Sequence, residues 1–374
     1  MTVYDYIDKH GIYSFNEKDF NEVDSMIFAM LSYADYTEIF DTNKKLTINE
    51  IGRMHLGIHT GKDKNIIAVK EANNLLRYIK DVKRYKDCII SNYEYIGNNE
   101  VQFGAMTIEY KPNNLYISFE GTDQLFSGWK ENFLLSYEFP TISHKMAIKY
   151  LNKHFTFTTK KLIVGGHSKG GNLALVASMY SNFLVRSKIK YIYSGDGPGV
   201  LDKEYNSKRY QKIKDKFLHI MPDYSLVGLF LCTSNNEVVK CKYKNILSHN
   251  AIYWEVEDDH FIKTELSPLS CEIQNELRDW FYRYNDEDKK EFISNLMQVL
   301  EDAGVTSILE IKEKNSKILN IIYETKDIKG NSKTILIDFI NVVIKAVANT
   351  KKEEFKNFIS NIFKFNKEWL NEIK

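Results

Sequence analysis

The stretch Lys161-Leu-Ile-Val-Gly-Gly-His-Ser-Lys-Gly-Gly-Asn-Leu-Ala174 decides the fold of this chain. Residues 161–164 form a short apolar run that is typical of a buried strand. Residues 172–184 carry helix-forming side chains, and glycines separate the two segments. The pattern therefore predicts a buried strand that turns sharply into a helix.

The turn itself contains Gly166-His-Ser-Lys-Gly170, a G-x-S-x-G motif. Glycine is needed at Gly166 and Gly170 because side chains there would collide across so tight a bend. The bend exposes the hydroxyl of Ser168 at the start of the following helix, where backbone N–H groups and the helix dipole stabilise a negatively charged oxygen. We expect Ser168 to be a nucleophile.

A serine nucleophile needs a histidine base, and in the α/β-hydrolase fold that histidine comes later in the chain than the serine. Three histidines follow Ser168. His219 lies in the apolar run KFLHIM and is expected in the core, and His260 follows three acidic residues in a predicted surface turn. His249 lies in a loop just before the strand-like IYWEVE, so it is the predicted base, with His260 in reserve.

The base in turn needs a carboxylate, and two are candidates. Asp196 follows the first predicted strand after the nucleophile helix, and Asp223 follows the second. The commoner hydrolase arrangement uses the second strand, which favours Asp223. Asp196 lies between glycines, where an aspartate often shapes its own loop.

The oxyanion hole needs two N–H donors. One is expected from Lys169, the residue after the nucleophile. The second is expected from the loop that follows the strand LYISFE, where Gly121 permits close approach and Thr122 offers its N–H. The alternative is that Gly121 and Thr122 form an ordinary β-turn.

Strands alternate with helices across the middle of the chain, which predicts a mainly parallel sheet flanked by helices, the α/β-hydrolase fold. The run Lys111-Pro-Asn-Asn114 predicts a hairpin. We divide the chain into a hydrolase domain at residues 1–262, with a helical segment at 1–97, and a helical C-terminal extension at 263–374. Helices are predicted in that extension at 273–284, 289–303 and 334–348.

Composition narrows the remaining classes of function. The 374 residues include 51 basic and 50 acidic side chains, a balance that gives no electrostatic case for nucleic acid. No apolar run reaches the roughly 20 residues that span a bilayer, and no signal peptide is evident. Four scattered cysteines favour the cytoplasm. No metal site or cofactor is expected, and the oligomeric state is left open.

The motifs together resemble those of a known group. They are Ile117-Ser-Phe-Glu-Gly-Thr-Asp123, Trp129-Lys-Glu-Asn-Phe133, the G-x-S-x-G segment, Pro222-Asp-Tyr-Ser-Leu-Val-Gly228 and the stretch from His249 to Trp254. They are similar to class 3 lipase-like proteins and, more narrowly, to the bacterial Mbeg-like domain family, whose function is not characterised.

The resemblance implies a triad of Ser168, Asp223 and His249, with Thr122 in the oxyanion loop. Two residues depart from the wider group, namely Glu120 in place of an arginine and Lys169 in place of an apolar residue. A charged Lys169 at the rim of the site would suit a polar or anionic ester at least as well as a long-chain lipid.

We therefore expect a serine hydrolase that acts on a small-molecule ester or lipid-like substrate through an acyl-enzyme. One alternative is a catalytically inactive binding or scaffold protein with the same fold, and another is a peptidase or acyltransferase with the same triad. The basic run at residues 203–216 is predicted to be a solvated helix face, with a lid over the site as the second possibility.

Overall fold

The computed structural model describes residues 1–36, 38–40, 44–55, 67–98, 100–122, 131, 134–225, 227–244 and 246–304. In this part of the chain, one eight-stranded sheet has its strands in the same order as the sequence. Its strands are β1 (Leu46–Thr47), β2 (Ile89–Gly97), β3 (Gln102–Lys111), β4 (Asn114–Phe119), β5 (Lys161–His167), β6 (Ile189–Gly195), β7 (Phe217–Pro222) and β8 (Asn236–Val239). A separate antiparallel pair consists of β9 (Val256–Glu257) and β10 (His260–Phe261).

Helices surround the sheet and connect its strands. They are α1 (Val3–His10), α2 (Glu22–Leu31), α3 (Ile48–His55), α4 (Ile67–Ile79), α5 (Ile142–Phe155), α6 (Lys169–Tyr180), α7 (Phe183–Lys188), α8 (Asp202–Tyr205), α9 (Lys208–Gln211), α10 (Pro268–Arg283) and α11 (Asp286–Asp302). None of the helices described is long and apolar enough to cross a bilayer.

The sheet changes from antiparallel to parallel at β4. Strands β1 to β4 pair antiparallel, and β4 to β8 pair parallel. The predicted hairpin joins β3 to β4 and is confirmed; Asn113 in its turn has a φ of 64°, a left-handed conformation that asparagine tolerates. Because β4, β5 and β6 are neighbours that run parallel, the loops at their carboxyl ends meet at one edge of the sheet.

The two faces of the sheet are covered by different helices. Side chains alternate along each strand, so Tyr116 and Ile163 pack in one apolar cluster with α2, whereas Ile117 and Val164 pack in another with α5 and α6. All four side chains are buried. This two-sided burial explains the apolar runs of β4 and β5, and it confirms the predicted α/β-hydrolase architecture.

The predicted helical segment at residues 1–97 is wrong at its end, because β2 occupies Ile89–Gly97. Its pairing with β3 shifts in register between Ser91 and Glu94, and Asn92 in between has a φ of 52°. This bulge breaks the alternation of apolar and polar residues by which a strand is recognised in a sequence.

The C-terminal part begins with two helices, α10 and α11, close to the predicted ranges 273–284 and 289–303. The third predicted helix, at 334–348, lies outside the described residues. The division of the chain at residue 262 stays a prediction.

The basic run at residues 203–216 contains α8, α9 and a 3-10 turn at Lys214–Lys216, between β6 and β7. Lys203, Lys208 and Lys212 are exposed, and Tyr210 is buried. The guanidinium of Arg209 lies 4.6 Å from the centre of the Tyr180 ring at the end of α6. The exposed lysines support the prediction that residues 203–216 form a solvated helix face. The alternative, that this run forms a lid over the site, stays a hypothesis.

Candidate active site

The nucleophile turn has the geometry that its glycines predict. Strand β5 ends at His167, α6 begins at Lys169, and Ser168 between them has φ 57° and ψ −131°. Such a conformation costs a non-glycine residue about 1–3 kcal/mol and persists only where the surroundings enforce it. Here the N–H of Ser168 donates to the carbonyl of Gly195 at 2.8 Å. Ser168 keeps 8% of its surface exposed.

The glycines of the turn are required by close backbone approaches. A Cβ on Gly166 would lie 2.3 Å from the carbonyl carbon of Gly170, and a Cβ on Gly170 would lie 2.1 Å from the carbonyl oxygen of Phe119. No side chain fits at such distances. The end of β4 therefore lies directly against the start of α6.

His249 is paired with Asp196. It ends a 3-10 turn at Ile246–His249, and its Nδ1 lies 2.6 Å from Oδ2 of Asp196. The carboxylate of Asp196 is fully buried, and its Oδ1 accepts hydrogen bonds from the hydroxyl of Ser225 and from the N–H of Gly228. Burial alone would raise the pKa of Asp196, but its bonds to His249 and Ser225 outweigh that effect and hold the pKa below its usual value.

The pairing of His249 with Asp223, expected from the sequence, is wrong. An imidazole Nδ1 has one hydrogen-bonding direction, and Asp196 occupies it. Asp223 follows β7, where its N–H donates to Val239 and its carbonyl accepts from Ser267. Its Oδ1 is buried without a hydrogen-bond partner among the described residues, and burial raises its pKa. The loop after β7 therefore supplies hydrogen-bond donors to Asp196, namely Ser225 and Gly228, and does not supply the carboxylate that bonds to His249.

The other two candidate histidines lie elsewhere. His219 is fully buried on β7, as expected, with Nδ1 3.0 Å from Oδ1 of Asn236. His260 lies on β10, exposed and beside Asp259.

His167, which the sequence analysis did not single out, connects the nucleophile turn to the histidine loop. Its Nε2 lies 2.6 Å from the carbonyl oxygen of His249, and its Nδ1 lies 3.0 Å from the hydroxyl of Tyr33. A carbonyl only accepts, so Nε2 carries the proton and Nδ1 accepts from Tyr33. Burial, with the nearby His249, lowers the pKa of His167 to about 3, so the ring is neutral. The centres of the His167 and His249 rings are 4.6 Å apart.

Gly121 and Thr122 follow β4 at the same edge of the sheet. A Cβ on Gly121 would lie 1.8 Å from the hydroxyl oxygen of Tyr33 and 2.6 Å from the carbonyl oxygen of His167. The Gly121 backbone therefore lies against the residue before Ser168. Asp123 and Trp129, which belong to the resemblance, lie outside the described residues.

The side chain of Lys169 does not lie at the rim of the site, contrary to expectation. Only 1% of its surface is exposed. Its Nζ donates to the backbone carbonyl and to Oε1 of Gln102, at 2.7 Å and 2.6 Å, and lies 3.4 Å from Oε2 of Glu131. Lys169 therefore places no charge at the rim that would favour an anionic ester.

The chain is similar in structure to a mutant form of MDLA from Penicillium cyclopium, with 13% identity, a TM-score of 0.37 and coverage of 64% of this chain and 83% of that one. It is also similar to the M37 lipase, with 14% identity, a TM-score of 0.33 and coverage of 56% and 70%. No curated protein sequence matches. The Mbeg1-like family matches residues 79–298, more than half of the chain. The chain therefore belongs to the Mbeg1-like family.

Proposed function

We propose that this protein is a serine hydrolase that cleaves carboxylic esters through an acyl-enzyme. The observation that carries the proposal is the 2.6 Å contact between His249 Nδ1 and Asp196 Oδ2. Ser168, which has a strained backbone, is bonded through its N–H to Gly195, the residue before Asp196. A buried, ionised carboxylate on Nδ1 keeps the proton there and leaves Nε2 as the basic nitrogen.

In this mechanism Ser168 gives its hydroxyl proton to His249 Nε2 while its Oγ bonds to the ester carbonyl carbon. The N–H groups of Thr122 and Lys169 hold the resulting oxyanion. His249 then returns the proton to the leaving alcohol oxygen as the C–O bond breaks. Water, activated by the same imidazole, hydrolyses the acyl-enzyme and restores the Ser168 hydroxyl. Asp196 stays ionised throughout and replaces Asp223 as the acid of the proposed triad.

The substrate is proposed at the level of its reacting bond. Carboxylic esters come first, and lipid-like esters are included because of the lipase-like motifs. The buried Lys169 gives no reason to prefer an anionic ester.

The protein is also proposed to be cytoplasmic. Its cysteines are all free thiols, and Cys88 and Cys241 are buried, which supports that location.

Labelling with a fluorophosphonate probe tests the proposal. We expect wild type to be labelled and Ser168→Ala to remain unlabelled. Ser187→Ala is the matched control, since Ser187 is exposed and lies in α7, away from the nucleophile turn. Folded wild type that is not labelled would favour a non-catalytic member of the fold, and equal labelling of Ser168→Ala would show that Ser168 is not the nucleophile. Rates on p-nitrophenyl acetate and p-nitrophenyl palmitate then compare short with long acyl chains.

A further inference from the structure

The ammonium of Lys169 is buried directly behind the nucleophile turn. Removing such a charge from water costs several kcal/mol unless acceptors replace the lost hydration. Gln102 supplies two, its backbone carbonyl and its Oε1, and Glu131 supplies the opposite charge. Burial would raise the pKa of Glu131, but Lys169 and the hydrogen bonds from Ser143 outweigh it and lower that pKa. Glu131 is therefore a carboxylate, and the three oxygen atoms around Lys169 Nζ are acceptors that suit an ammonium.

Lys169 fixes the direction of the Gln102 amide. An ammonium only donates hydrogen bonds, so the amide atom 2.6 Å from Nζ must be the oxygen. The amide nitrogen is then on the other side, where Nε2 donates to the carbonyl oxygen of Gly121 at 3.1 Å. The orientation of this amide follows from chemistry alone.

The carbonyl of Gly121 belongs to the same peptide unit as the N–H of Thr122. That peptide is trans, and in a planar trans peptide the carbonyl and the N–H point in opposite directions. A hydrogen bond that holds the Gly121 carbonyl on the Gln102 side therefore turns the Thr122 N–H to the opposite side. Gly121 itself lies against the carbonyl of His167, next to the nucleophile.

We propose that Lys169 and Gln102 are positioning residues for the oxyanion hole: Lys169 supplies one donor from its backbone and, through the Gln102 amide, orients the other donor, the Thr122 N–H. This inference rests on the proposed function. It also accounts for a buried lysine at this place, because an apolar residue could not hold the Gln102 oxygen.

Two substitutions at Gln102 separate orientation from simple packing. Gln102→Met keeps the size and removes both side-chain hydrogen bonds. Gln102→Glu keeps an acceptor for Lys169 but presents a second oxygen to the Gly121 carbonyl, which repels it. Thr107→Val is the matched control, since it removes a buried hydroxyl on the same strand, β3, that bonds to Tyr150 and contacts neither Lys169 nor the Gly121 carbonyl through a hydrogen bond.

The readouts are kcat and KM for a p-nitrophenyl ester, the rate of fluorophosphonate labelling and the inhibition constant of a phenylboronic acid. A lost oxyanion donor lowers kcat by roughly 100- to 1,000-fold, so a misaligned one is expected to cost about 10- to 100-fold. We expect both Gln102 variants to lose kcat by that factor with KM within about twofold. Boronate binding weakens in proportion, since its tetrahedral adduct places an oxygen in the hole. Thr107→Val keeps the wild-type kcat.

The outcomes distinguish this inference from the proposed function. Wild type without Ser168-dependent labelling overturns the proposed function itself. An active wild type together with a folded Gln102→Met that retains wild-type kcat and boronate affinity overturns only the positioning role. If Gln102→Met does not fold, Gln102→Glu decides, because it retains the acceptor that Lys169 needs.

Discussion

Replacing Asp196 by asparagine tests which carboxylate serves His249. The two atoms bonded to Oδ1, the Ser225 hydroxyl and the Gly228 N–H, are both placed as donors. They fix the oxygen of the new amide on their side, so its NH₂ group faces His249 Nδ1. An NH₂ group only donates, so Nδ1 must become the acceptor and the imidazole proton moves to Nε2. In that tautomer His249 cannot take the proton of Ser168.

The size of the expected loss follows from this tautomer change. The same replacement in a serine protease lowers kcat about 10⁴-fold while the geometry is kept. That factor corresponds to about 5 kcal/mol in the activation free energy. We therefore expect Asp196→Asn to lose between about 10³ and 10⁴ in kcat, with the fold intact because the amide is isosteric with the carboxylate.

The assay is hydrolysis of p-nitrophenyl acetate, with thermal unfolding measured in parallel. Asp223→Asn is the matched control, and we expect its kcat to stay within about threefold of wild type because Asp223 does not bond to His249. An Asp196→Asn variant that keeps a tenth of the activity would refute this reasoning. So would an Asp223→Asn variant that is folded and equally impaired.

Two further predictions concern buried histidines. In His144, Nδ1 accepts from the Thr141 N–H and Nε2 lies 2.7 Å from Asn172 Oδ1; burial lowers its pKa from 6.5 to about 4. The folded state thus binds fewer protons than the unfolded state between these values, so about 3 kcal/mol of stability is lost as pH falls from about 6.5 to 4. Unfolding midpoints between pH 4 and 8 should depend less on pH in His144→Gln, and equal slopes would contradict the argument. His167→Phe removes the bond to the His249 carbonyl and should lower kcat roughly 5- to 10-fold; unchanged kcat in folded protein would show that this bond does not position His249.

Local chemistry explains what could be predicted from sequence. The turn at Ser168 could be identified because Gly166 and Gly170 flank the serine at a fixed spacing, and a Cβ on Gly166 would collide with the nearby Gly170. The parallel strands could be predicted because they are buried on both faces and carry apolar runs. Strand β2 escaped detection because its bulge destroys the alternation that marks a strand.

The acid could not be chosen from sequence, because both candidates follow strands at the same edge of the sheet. Asp196 has a φ of 45° and receives donors from the loop after β7, about 30 residues later in the chain. The loop after β7 thus supplies the hydrogen-bond donors for Asp196, which follows β6. The spacing of residues along the chain does not predict which loop will contact Asp196.

The sequence by itself determined the strand–turn–helix at Ser168 and singled out His249, because the spacing of the motif glycines and the order of serine before histidine are both properties of the linear chain. Only the tertiary structure decided that Asp196 pairs with His249 and that Lys169 points inward to Gln102. Both outcomes depend on which strands lie side by side, and Gln102 is 67 positions away from Lys169 along the chain. The Lys169 ammonium can be buried because Gln102 and Glu131 provide acceptors for it, and these residues come close to Lys169 only in the folded chain.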